Sequence, residues 1–184
     1  FKRGYRNVIN EAIRIDTNTE KSSYLAIETS GHAAFAENFW LDDGAFLACK
    51  IVILAAKLKA KGKGISSVLS KLELPTENVE LRLPIYLTNG ISISDAGNII
   101  LTNFKNWIFN LSAHSEIKMS FAEPNYEGVR VNFKGKGIDA WCLIRISLHE
   151  PILPINIVCS KGKTDDIKMI IDDFIKNEKF LNIE

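Results

Sequence analysis

The sequence predicts an α/β domain followed by a small α+β domain, and three observations carry that expectation. A short apolar run, Tyr24 to Ile27, is followed by a long, almost continuously apolar helix from Gly44 to about Lys61. A proline-bounded stretch, Leu72 to Pro84, then interrupts the pattern. Beyond it the chain changes character, with several strand-like runs separated by turn signals and framed by two amphipathic helices. Helix-period and strand-period segments in that order suit one layered α/β unit and one sheet with helices on a face. The boundary is placed near the stretch after Leu72, giving parts 1–80 and 81–184.

The elements follow in order. Asn7 to Ile15 places Val8, Ile9, Ala12 and Ile13 at helical spacing. Tyr24 to Ile27 reads as a short buried strand, a compact apolar run between polar residues. Asp42 or Asp43 can cap the helix that Gly44 opens, and the glycines of Lys61-Gly62-Lys63-Gly64 end it. Its all-round apolar surface predicts burial inside the layered unit. A second short helix follows at Ser66 to Lys71, and Leu72 to Pro84 reads as an extended connector. Ser94-Asp95 would cap a helix reaching about Leu111, with Ile99, Ile100, Phe104, Trp107, Ile108 and Leu111 on its apolar face. Strands are expected at Ile117–Phe121, Gly128–Phe133, Ala140–Ile146 and Ile155–Cys159, and a last helix at Asp165–Lys176.

Composition narrows the function classes. The 184 residues are 46% hydrophobic, enough for a sizeable core. With 23 basic against 22 acidic side chains, no global field points to nucleic acid or a membrane surface. Cys49, Cys142 and Cys159 are odd in number and sit in apolar runs, so they read as reduced core thiols of a cytoplasmic protein. No stretch reads as a signal peptide, and Ala45 to Ala56, broken by Lys50, is too short to span a bilayer.

Two loops concentrate polar chemistry. In Glu28-Thr29-Ser30-Gly31-His32 a carboxylate, hydroxyls and an imidazole leave a strand end around a glycine, a set able to hydrogen-bond several hydroxyls of a polyol. The same residues would equally make a turn that satisfies its own backbone, with His32 as a packed histidine. In Arg145-Ile146-Ser147-Leu148-His149-Glu150-Pro151, Arg145 can clamp two phosphate oxygens and Ser147 adds a hydroxyl. His149 adds an N–H, and the turn before Pro151 can aim the amides of Leu148 and His149 inward. The plain alternative is a surface turn with a solvated Arg–Glu pair.

Taken together, the strings ETSGH and LDDGA resemble the sugar-binding segment of the α-D-phosphohexomutases, the phosphoglucomutase and phosphomannomutase superfamily. Arg-x-Ser-x-x-Glu-Pro, approached through Gly128-Val129-Arg130-Val131 and Trp141 to Ile146, resembles the phosphate loop of that family's fourth domain. The resemblance covers essentially the whole chain, as the later part of domain three followed by a domain four of TATA-box-binding-protein-like α+β fold. It implies sugar binding by Glu28, Ser30 and His32, and phosphate binding by Arg145, Ser147, Leu148 and His149. Gly4-Tyr5-Arg6 resembles a cleft motif, which makes Arg6 a further candidate. Where the family commonly has Gly or Asn and then Thr, this chain has Leu148 and His149, which leaves open whether His149 replaces the threonine hydroxyl.

The family's reaction is reversible phosphate exchange between the 1- and 6-positions of a hexose, through a hexose 1,6-bisphosphate and a phosphoserine enzyme that uses Mg²⁺. Its nucleophilic serine loop and metal loop are not in this sequence. The expectation is therefore a C-terminal piece, inactive alone, whose partners are a hexose phosphate and the N-terminal domains. A domain three lacking its opening strand would expose a sheet edge and self-associate through the Tyr24 region.

Other readings compete less well. Gly162-Lys163-Thr164 lacks the upstream glycine of a Walker loop, and His32, His114 and His149 lack metal-ligand spacing. A nucleic-acid or protein-binding module is the alternative, with the charge balance against it. A Ser30–His32 hydrolase would need an orienting acid and a nucleophile elbow, and neither is evident.

Overall fold

The computed structural model describes residues 4–28, 30–87, 90–147 and 150–181. They divide into two units, 1–73 and 74–184, each taken by itself below. Residues 74–80, placed with the first part from sequence, thus fall in the second.

In the first unit, α1 (Tyr5–Asn18) packs on a two-stranded antiparallel ribbon, β1 (Leu25–Ile27) and β2 (Ala33–Phe35), in the register Leu25↔Phe35 to Ile27↔Ala33. The small cluster beneath is built on Ala12, Ala26 and Ala34, with Val8, Ile9 and Trp40 against it. The run expected to be a buried strand is buried only at Ala26; Leu25 and Ile27 face outward. Next, α2 (Gly44–Lys59) starts where the sequence places it, and a 3₁₀ turn, Ile65–Leu69, replaces the expected short helix. The expectation that α2 is buried fails. None of its residues is buried, and Ile51, Val52, Ile53 and Leu54 are exposed, because this unit offers its apolar surface no second layer. Cys49 lies on α2 and is exposed as well, unlike the buried Cys142 and Cys159.

The second unit is a five-stranded antiparallel sheet in the order β3-β7-β6-β5-β4. The strands are β3 (Glu77–Pro84), β4 (Lys118–Phe121), β5 (Val129–Gly135), β6 (Ile138–Ile144) and β7 (Ile152–Lys161), with α3 (Ile93–Ser112) and α4 (Thr164–Asn177) packed on one face. Alternation sets that face: Val129, Val131 and Phe133 of β5 join Ala140, Cys142 and Ile144 of β6 and Leu153, Ile155, Ile157 and Cys159 of β7. Ile100, Phe104 and Ile108 of α3 and Ile167, Ile171 and Phe174 of α4 cover them. Ser92 caps α3, accepting from the Asp95 N–H at 3.1 Å, so the cap lies two residues before the expected Ser94.

Leu72 to Pro84 is not a connector. From Glu77 onward it is β3, paired residue for residue with β7 from Glu77↔Cys159 to Pro84↔Ile152. Its alternation of apolar and charged residues is that of an edge strand: Val79, Leu81 and Leu83 pack on the core, and Glu80 and Arg82 fall on the other face. Likewise β7 begins before Pro154, which opposes Arg145 just beyond the end of β6, where one missing N–H costs the ladder little. Gly128 (φ 60°) enters β5 so close to β6 that a Cβ there would lie 1.9 Å from the Ile144 carbonyl oxygen. No helix among the described residues is long and apolar enough to cross a membrane.

Candidate functional site

The polar loop of the first unit closes the β1–β2 ribbon. The Glu28 N–H donates to the His32 carbonyl and the Gly31 N–H to that of Glu28, with Gly31 at φ 93°, a conformation glycine supplies without strain. Glu28 is held from two sides: the Gly4 N–H donates to one carboxylate oxygen at 3.0 Å and the Ser30 hydroxyl to the other at 2.9 Å. Ser30 is therefore tied to Glu28 and not to His32, and no Ser–His dyad forms.

His32 has its own carboxylate. Its Nδ1 lies 2.7 Å from Asp42 Oδ2, while Asp42 Oδ1 accepts from the Ala33 N–H at 3.2 Å. The acid orienting His32, which the sequence did not reveal, is thus Asp42. A carboxylate on Nδ1 holds the proton there and leaves Nε2 as the outward edge. The imidazole stacks on the Tyr5 ring at 4.7 Å, and Tyr5 Oη in turn accepts from Arg6 Nε at 3.2 Å. Arg6 therefore lies one ring away from His32. Ser30, Gly31, His32, Asp42 and Gly44 line an open depression.

Asp43, not Asp42, caps α2. One of its oxygens accepts from the Ala45 and Phe46 N–H groups, both at 3.0 Å, and the Asn38 amide donates to the other at 3.3 Å. These bonds, led by that from Phe46, hold its carboxyl below the usual aspartate range. The two acids at the start of the helix have separate roles: one ends the ribbon by fixing a histidine, the other starts the helix.

In the second unit, Arg145 and Ser147 leave the end of β6 on a well-fixed segment. The Arg145 N–H donates to the Pro154 carbonyl at 3.2 Å and the Ser147 N–H to that of Ile152 at 3.1 Å. Between them Ile146 packs so tightly against α3 that a Cβ on Gly97 would come within 2.6 Å of its Cδ1. The Glu150 N–H donates to the Ser147 hydroxyl at 3.4 Å. Leu148 and His149 lie outside the described residues.

The Arg145–Glu150 pair of the alternative surface-turn reading does not form. Glu150 is held by Arg82 of β3, whose Nη2 lies 2.8 Å from Glu150 Oε2, and Arg82 also reaches Glu80 at 3.8 Å. Among the described residues the Arg145 guanidinium has no carboxylate partner, and its Nε is buried without a hydrogen bond. Arg82 was not singled out from sequence; its only signal was the charged alternation of its strand.

No protein-family model and no curated protein sequence matches the chain. Among solved structures, a phosphoglucomutase/phosphomannomutase family protein from Burkholderia thailandensis is similar in fold, with a TM-score of 0.58 at 18% identity over 96% of this chain. The chain spans 31% of the length of that protein. At that identity the likeness establishes the fold, including the five-stranded antiparallel sheet with its flanking helices.

Proposed function

We propose that this chain is a C-terminal part of a phosphohexomutase and supplies two of its substrate-holding loops. The observation that carries the reading is the Arg145 guanidinium, without a carboxylate among the described residues because Arg82 takes Glu150, beside the Ser147 hydroxyl on one fixed segment. An uncompensated guanidinium next to a hydroxyl suits a phosphate monoester, which Arg145 grips through two oxygens. Leu148 and His149 complete the loop with backbone amides and an imidazole.

Glu28 and Ser30, already linked to each other, face the sugar hydroxyls, and His32 presents Nε2 with Asp42 holding its other nitrogen. Arg6 stands at the margin of this group through Tyr5. The substrate is a hexose phosphate. The reaction of the intact enzyme is an isomerisation by phosphotransfer between the 1- and 6-positions through a hexose 1,6-bisphosphate. The loops described here do no bond-breaking; they hold the sugar and the phosphate that is not being transferred, in a reaction whose catalysis is largely positioning and electrostatics.

The Mg²⁺ of the reaction is read as bound by other parts of the intact enzyme; among the described residues no group of His, Cys, Asp and Glu side chains is arranged to hold a metal ion. The phosphorylated serine and the metal loop belong to N-terminal domains of the parent protein, so the chain alone binds weakly and turns nothing over.

The test is a heteronuclear NMR titration with glucose 1-phosphate, run beside Arg145→Ala. Shifts at 145–149 and 28–32, lost from the phosphate loop in the variant, are the expected result. A well-dispersed spectrum that ignores sugar phosphates and responds to an oligonucleotide would overturn the reading in favour of a binding module.

A further inference from the structure

Among the described residues, three buried side-chain polar atoms are left without a hydrogen-bond partner: Arg130 Nε, Arg145 Nε and Asn156 Oδ1. They are far apart in sequence, yet the strand register brings them together. Arg130 of β5 and Asn156 of β7 both oppose Leu143 of β6, and Arg145 follows Leu143 by two residues. Residues paired across strands, or two apart on one strand, share a face. Arg130, Arg145 and Asn156 therefore surround the buried Leu143 on the sheet face opposite α3 and α4. Arg130 and Arg145 are diagonal neighbours across the β5–β6 pair, a placement that sets Cα atoms roughly 7–8 Å apart, within reach of one shared anion for two long side chains.

Two of the three are oriented by other contacts. The Arg130 guanidinium lies over the Trp141 ring, 4.3 Å from its centroid, which orients it without using its N–H groups. Asn156 Nδ2 donates to Glu80 Oε2 at 2.8 Å, so the amide is turned with Oδ1 away from Glu80. Glu80 and Glu150 are both engaged by Arg82, which keeps the nearby carboxylates from neutralising the two inner arginines. Buried polar groups are nearly always paired in folded proteins, so three orphans around one residue call for a common ligand. Its chemistry follows from what is missing. Two guanidinium donors lack an acceptor and one amide oxygen lacks a donor, so the ligand carries an oxyanion and a hydroxyl together.

We propose that Arg130, Arg145 and Asn156 form one receptor for a phosphorylated polyhydroxy compound, with the phosphate between the two arginines and a ligand hydroxyl donating to Asn156 Oδ1. This rests on the reading of Arg145 as a phosphate ligand and widens it, adding a second cation and a residue that selects a phosphate ester bearing a hydroxyl over a bare oxyanion.

The experiment follows the arginine Nε–H, Trp141 indole and Ser147 amide signals during titration with glucose 6-phosphate and, separately, with sulfate, which has no hydroxyl to donate. Both arginine signals and Trp141 should move. Arg130→Gln should weaken both ligands about tenfold, the size of one charge-assisted hydrogen bond. Arg130→Lys, which keeps the charge and the stem over Trp141 but loses Nε–H, should fall between. Asn156→Leu should weaken glucose 6-phosphate and leave sulfate within about twofold.

If Arg145 and Ser147 respond while Arg130 and Trp141 do not, and Arg130→Gln binds as wild type, this inference is overturned and the proposed function stands. If Arg130 and Trp141 respond while Ser147 is silent and Ser147→Ala has no effect, the receptor stands and the loop reading fails. Silence at every site overturns both.

Discussion

Asp42 and Asp43 are adjacent, and the difference between them fixes what acid should do to this protein. Asp43 accepts two helix N–H groups, and its pKa is lowered mainly by the bond from Phe46. A carboxyl whose folded pKa lies below its unfolded one stabilises the fold above the ordinary aspartate range, and loses that contribution as pH falls through the folded value. Asp43→Asn should therefore lower the melting temperature at neutral pH, with the gap to wild type closing on acidification; a gap that does not depend on pH would deny the cap its charge. The thiols give a second test at this scale. Burial pushes both the Cys142 and the Cys159 thiol up, while Cys49 is exposed on α2. One thiol should react promptly with a disulfide reagent and the other two only on unfolding. Had the inference from apolar surroundings held for all three, none would react in the folded state.

At the scale of elements, the segment proposed to hold phosphate is placed by packing as much as by hydrogen bonds. Gly97 lets Ile146 press against α3, and Arg145 and Ser147 flank that contact. Gly97→Ala should preserve the fold, since α3 gains a better helix former, but push Ile146 outward and weaken sugar phosphate binding; unchanged affinity would show that the segment is set by its backbone bonds alone. Gly128→Ala has no such freedom, because its Cβ would meet the Ile144 carbonyl oxygen at a positive φ. A loss of about 3 kcal/mol or more in urea unfolding is expected.

These elements differ in how readily the sequence disclosed them. The stripe Ile100, Phe104, Ile108 and the alternation Val129, Val131, Phe133 record burial against partners within the unit, and both were legible. β3 was not, because Pro75 and Pro84 bracket it and its partner strand is contributed from about eighty residues away, Glu77 pairing with Cys159. Arg145 could be singled out as a candidate by type and motif. That Arg82 frees it, or that Asp42 holds His32, depends on register and turn geometry that no local pattern encodes. For α2 the sequence states a demand for burial and is silent on what supplies it.

That demand is the dominant property of the molecule as a whole. The second unit carries a continuous core through sheet and helices, with Phe104, Phe133, Ile155, Ile157, Ile167 and Ile171 fully buried. The first unit's cluster is built on three alanines, and small side chains bury little apolar area. Amide exchange should accordingly be slower by orders of magnitude in β5, β6 and β7 than in β1 and β2, since local opening costs less where fewer contacts break.

The same contrast predicts association. Among the described residues β1 has a strand on one edge only, and Tyr24 (76% exposed), Ile27 (54%), Phe39 (86%) and Val52 (67%) leave apolar surface in water. An unpaired strand edge together with uncovered apolar side chains recruits further chains. Sedimentation of the chain should show a concentration-dependent larger species. Ile27→Lys, which puts a charge on the edge strand, should dissociate it if the ribbon is the contact, whereas Val52→Glu should do so if α2 is. A monomer across the accessible concentration range would mean that the exposed apolar surface of the first unit does not suffice to recruit a second copy.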